Sequence, residues 1–180
     1  MSTTPYTRTS IMETVTRYVL ERSLRGGRGE TLLRWLLDHG ADEFSITVMA
    51  LQGVPAPVAD AFEDAMGSFE LARAPRRVPS SPASLDSTRV VRLWTLSEES
   101  LALLLGFFPL GLFHSAAGPD GWFEDLAIYR AGELLLGILS HEGEGVLCLT
   151  ADEHAAVAAL GIGSEAGTEC TVTVHSPNAN

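Results

Sequence analysis

The chain has 180 residues, 46% of them hydrophobic and 19% charged, enough apolar material for a folded core and too much for disorder over most of its length. Its formal net charge of −11 sits in one half: residues 1–92 carry eleven acidic and eleven basic side chains, while residues 93–180 carry twelve acidic side chains against Arg130 alone. Such a surface repels nucleic acid and attracts cationic partners.

Ser10 and Glu13 form a capping-box pattern, and Ile11, Met12, Val15, Tyr18 and Val19 follow at helical spacing, which predicts a helix over 10–25 stopped by Gly26 and Gly27. A second helix is expected from about Glu30 to His39, apolar around most of its circumference through Leu32, Leu33, Trp35, Leu36 and Leu37. Period-two alternation over 43–51 predicts a half-buried strand. Pro55 and Pro57 then lead into a helix around 57–70. Residues 72–88, rich in Pro, Ser and Ala and carrying Arg73, Arg76 and Arg77, read as a long mobile loop.

A strand is expected over Arg89–Trp94, then a helix capped by Ser97 and a short strand at Leu110–His114. The pattern is clearest after the turn Gly118-Pro119-Asp120-Gly121. Strands at 122–130 and 133–141 are joined at Ala131-Gly132, which sets Arg130 opposite Glu133, Tyr129 opposite Leu134 and Ile128 opposite Leu135. Both faces of this ribbon are apolar, so both need a cover, from this chain or from a partner. A third strand follows at 146–149. Thr150 and Glu153 make a capping box for a helix that runs to Leu160. The expected fold is α+β: a single domain over 1–170 with a mainly antiparallel sheet, a C-terminal β-meander at about 122–149 and flanking helices. Residues 171–180 read as a partly disordered tail in which Thr171–His175 makes an edge strand.

The chemistry-bearing residues form no strong motif. His141 and His154, with Glu142, Asp152 and Glu153 nearby, suggest a zinc site for a small hydrolase, but the pair lacks the H-E-x-x-H helix spacing and Glu153 is already the capping acceptor. Gly26-Gly27-Arg28-Gly29 before a helix is a place for an anion, without the Gly-Lys-Ser/Thr ending of a phosphate loop. Cys148 lies among Val146, Leu147 and Leu149 and reads as a small buried hydrophobe. Two cysteines at no metal spacing make reduced thiols in a cytoplasmic protein the default. The polar start MSTTPYTRTS lacks a signal-peptide core, and the run Leu101–Phe113 is too short to span a bilayer. The absence of lysine fits the codon bias of a GC-rich bacterial genome, or selection against conjugation sites.

The functional expectation is therefore a non-catalytic bacterial binding module of the immunity-protein, chaperone or regulatory-subunit type. Its acidic C-terminal face would hold a basic protein through Trp122, Glu124, Asp125, Glu142, Glu144 and Asp152, with Trp94, Phe123 and Tyr129 as further aromatic anchors. No cofactor, metal, nucleic acid or membrane is expected. The alternatives are the hydrolase and an assembly module that buries the 122–141 hairpin between the subunits of a homodimer.

Overall fold

Among the described residues, four helices and nine strands build an α+β fold around one mostly antiparallel sheet. The computed structural model describes residues 10–20, 24, 27–49, 56–78, 87–108, 111–112, 122–140 and 142–175; of residues 10–13, 49, 122 and 168–175 it describes the backbone. In chain order the strands are β1 (Ser10–Leu20), β2 (Glu43–Met49), β3 (Ala74–Val78), β4 (Ser87–Val91), β5 (Trp94–Thr95), β6 (Trp122–Arg130), β7 (Glu133–Leu139), β8 (Glu144–Leu149) and β9 (Ser164–His175). The helices are α1 (Gly27–Asp38), α2 (Pro57–Met66), α3 (Glu98–Gly106) and α4 (Ala151–Ala159), and a single 3-10 turn follows α2 at Gly67–Phe69. The large sheet runs β5-β2-β6-β7-β8-β1-β9, and β3 pairs with β4 in a separate ribbon. No helix among the described residues is long and apolar enough to cross a membrane.

Alternation along the strands produces two apolar faces. One packs under all four helices: Phe44, Ile46, Phe123, Leu126, Ile128, Leu136, Ile138, Leu147 and Leu149 meet Leu32, Leu36, Phe62, Met66, Leu101, Leu104 and Val157. The other carries Ala127, Tyr129, Leu134 and Cys148. The β3–β4 ribbon covers these with Ala74 and Val91, helped by Leu93. The cover is pinned by charge, since Arg76 on β3 donates to Glu43 on β2 through Nε (3.0 Å) and Nη2 (2.6 Å). The molecule is thus three layers: helices, sheet and ribbon. The chain's own elements cover both faces of the 122–141 hairpin, which removes the reason to bury it between subunits.

Four expectations change. Residues 10–20 form a strand, not a helix. Its two faces alternate as Val15, Arg17, Val19 and Thr16, Tyr18, Leu20, and the buried Arg17 breaks the apolar pattern that would have betrayed period two. The supposed loop 72–88 supplies β3 and the first residues of β4; Pro75 is tolerated because a two-stranded ribbon consists of edges. The strand expected at Arg89–Trp94 is divided, with β4 in the ribbon and β5 in the sheet. In the meander, Arg130–Glu133 and Tyr129–Leu134 pair as expected, but an irregularity next to Tyr129 moves Ile128 opposite Leu136. The helix caps at Ser97 and Thr150 form as read, Ser97 Oγ accepting from Ser100 N–H and Thr150 Oγ1 from Glu153 N–H. Thr171–His175 is an edge strand, continuous with the rest of β9. The strand expected at Leu110–His114 falls mostly outside the described residues.

Candidate functional site: an acidic row at one end of the sheet

Strand register decides which carboxylates meet. Ala127, Gly137, Val146, Val19 and Glu165 stand opposite one another in turn across β6, β7, β8, β1 and β9. Directly opposed residues share a face, and Ala127 belongs to the ribbon-side face, so the whole row does. Glu144 lies two residues before Val146 and therefore on the same face, one step nearer the sheet end. Glu124 is opposite Thr47, which lies two residues beyond Ser45, the partner of Ala127. Three carboxylates on alternate strands thus occupy one end of one face. Neighbouring strands are about 4.8 Å apart, so Glu124 and Glu144, and Glu144 and Glu165, stand roughly 10 Å apart across the strands, and Glu124 and Glu165 about 20 Å. Glu142, exposed in the β7–β8 turn, adds a fourth at the same end.

Asp125 has a different task. It sits at φ 55° in the irregularity where β2 and β6 change register, a conformation that Asp tolerates better than most residues. Its Oδ1 accepts the Ser140 N–H at 3.3 Å and its own N–H donates to Ser140 Oγ at 3.2 Å. That carboxylate fixes the ends of β6 and β7 to each other. Asp152 is exposed in the first turn of α4, beyond the far end of β8, and does not join the others. The backbone of Trp122 pairs with Met49 at the acidic end; its side chain, like all of His141, lies outside the described residues. Trp94, Phe123 and Tyr129 are 1%, 0% and 0% exposed and serve as core, not as anchors. Glu165 was invisible as a member of the group, because only the register of β9 against β1 brings it there.

The opposite end of the sheet is internally paired. Arg130 Nη1 donates to Glu153 Oε1 at 2.5 Å and to the His39 carbonyl at 3.2 Å. Glu153 also accepts from Thr150 N–H and Oγ1. Burial pushes the Glu153 carboxyl upward, but the Arg130 and Thr150 hydrogen bonds outweigh it and hold the group below the usual range. Beside it, the His154 ring lies flat on Tyr18, with ring centroids 3.6 Å apart, and its Nε2 is 2.8 Å from Ser164 Oγ. Glu153 on Arg130 and His154 on Ser164 are thus two of the five candidate zinc ligands that already have protein partners. Among the described residues no three His, Cys, Asp or Glu side chains gather where they could hold one metal ion. Carboxylates 10 Å apart cannot share an ion that needs ligands within about 2.5 Å.

The glycine-rich segment before α1 borders a cavity of about 300 Å3 lined by Gly27, Gly29, Glu30, Leu105, Phe108, Gly111 and Leu112. Its polar side chain, Glu30, accepts from Arg34 and would oppose an anion there. Elsewhere, three of the first half's arginines are committed to carboxylates. Arg76 is on Glu43, Arg92 on Glu63 and Glu70, and Arg34 on Glu30 and Glu98. In the second half, Glu98 is paired with Arg34 and Glu153 with Arg130.

Comparison with protein-family models, with curated proteins and with solved structures finds no match for this chain.

Proposed function

We propose that this protein is a non-catalytic binding module, of the immunity-protein, chaperone or regulatory-subunit kind, which holds a basic protein against the acidic end of its sheet. The observation that carries the reading is the register that sets Glu124, Glu144 and Glu165 on one face of β6, β8 and β9, with Glu142 beside them. Charges about 10 Å apart on rigid strands suit a surface that presents several cations, not a single ion or a small substrate. Successive members are separated by about the screening length at physiological salt, so neighbours add to a common field and speed encounter with a cationic partner. Asp125 and Asp152 drop out of the proposed surface, and Glu165 enters it.

The test uses the partner recovered from the native host by affinity capture. Reversing Glu124, Glu144 and Glu165 together to Arg is expected to lower the association rate at least tenfold at low ionic strength. An unchanged rate in a folded triple variant would overturn the reading.

A further inference from the structure

The two edges of the large sheet are unlike. β5 closes one side with two residues, whereas β9 closes the other with twelve. Exposed edges invite pairing with another strand, and proteins blunt them by shortness, charge, proline or bulges. β9 is bulged once: Tyr18 faces Ala166 but Thr16 faces Glu169, so β9 has one residue more than β1 over that step. Gly167 sits in the bulge, where a Cβ would come within 2.7 Å of the Arg17 carbonyl oxygen. Beyond the bulge the pairing is regular from Glu169 to His175. That run, Glu-Cys-Thr-Val-Thr-Val-His, contains no proline, lysine or arginine. No described strand pairs with its outer edge.

β8 pairs with β1 over Thr16–Val19, so among the described residues Ser10–Val15 and Cys170–His175 continue as a two-stranded ribbon. A two-stranded ribbon is marginal in water without a third strand. By register, Ile11, Val15, Cys170, Val172 and Val174 share one face with Glu13, whereas Ser10, Met12, Thr14, Thr171, Thr173 and His175 share the other. Val15 is buried at 4% exposure and Thr14 is exposed, in keeping with that division.

We infer that β9 pairs antiparallel with β9 of a second copy, across a twofold axis at Val172, and joins two seven-stranded sheets into one. The sequence of the run is self-complementary in that register. Val172 meets Val172, Thr171 meets Thr173, Cys170 meets Val174, and Glu169 meets His175 of the second copy. Each apolar position finds an apolar one, the threonines pair with each other, and a carboxylate meets an imidazole at both ends. A twofold axis repeats every contact, so a favourable pair counts twice. The second copy gives the ribbon a third and a fourth strand. The dimer does not depend on the acidic row and is tested separately from it.

The experiment is light scattering after size exclusion, with sedimentation over a range of concentrations, on the full chain. The wild type is expected to dimerise. Glu169→Arg, which sets Arg against His175 twice, is expected to raise the dimer dissociation constant about tenfold or more. The exchange Glu169→His with His175→Glu keeps the pairing and is expected to restore the dimer. Val172→Arg, with two cations on the axis, is expected to give a monomer with an unchanged circular dichroism spectrum. A wild type that stays monomeric at every concentration overturns the proposal, as does a dimer that all three variants leave intact.

Discussion

Glu144 and Asp152 stand at opposite ends of β8, Glu144 at its first residue and Asp152 beyond its last, in the first turn of α4. Six residues of extended chain separate those ends by about 20 Å. A patch drawn from the sequence alone merges them, and the strand between them pulls them apart. Asp152→Arg is therefore expected to leave partner association within twofold of the wild type. It should cost α4 about 0.3–1 kcal/mol, because a cation replaces an anion at the positive end of the helix dipole. Urea unfolding beside association kinetics checks both halves of the statement.

The Arg130–Glu153 pair ties the end of β6 to the start of α4, and both side chains are mostly buried, at 25% and 18% exposure. Glu153→Gln keeps much of the cap and loses the ion pair, with an expected cost of about 1–3 kcal/mol at pH 7. Burial acts to raise the carboxyl, but Arg130 and Thr150 together lower it in the folded protein. The contribution of Glu153 is thus fully present above the unfolded carboxyl range. It is lost as pH falls through that range and past the lower folded value. Wild type and variant are expected to converge in stability only once pH has fallen below that lowered folded value; a gap that persists in strong acid contradicts this.

Tyr129 and Ser45 share a hydrogen bond of 3.1 Å under the β3–β4 ribbon, and burial raises the tyrosine hydroxyl above its ordinary range. Tyr129→Phe removes one partner and leaves Ser45 buried at 4% exposure. A loss of about 1–2 kcal/mol is expected in chemical denaturation. No loss would mean that the ribbon does not seal this face.

Gly167→Ala tests the bulge in β9. The added methyl would meet backbone, the Arg17 carbonyl oxygen, at 2.7 Å, so the strand must shift. An expected loss of about 1–3 kcal/mol follows, in the range of overpacking. Stability equal to the wild type would show that the strands do not approach so closely.

The parts of this fold that were legible in the sequence are those where local signals agreed. Thr150 and Glu153 cap α4, Ser97 caps α3, and Ala131-Gly132 turns the meander as read. β1 was misread because Ile11, Met12, Val15, Tyr18 and Val19 satisfy a helical period while Arg17, buried opposite Cys148, interrupts the alternation of a strand. The β3–β4 ribbon was hidden by its prolines, which a central strand would reject and a free edge accepts. The acidic row was half legible. Glu124 belongs to a strand that the pattern revealed, whereas Glu144 precedes the strand expected at 146–149 and joins it only because β8 starts two residues earlier. Glu165 depends on a pairing of β9 with β1 that sets it opposite Val19, far away in the sequence, and that no local signal encodes.

The salt dependence of the association rate is the most direct measure of the acidic row. For the wild type and its basic partner the rate is expected to fall steeply between low and physiological ionic strength. In the variant that reverses Glu124, Glu144 and Glu165 to Arg, the rate should be low throughout and nearly flat or rising with salt. If wild type and triple variant show the same steep fall, the attraction comes from elsewhere on the molecule, and the row is not the binding surface.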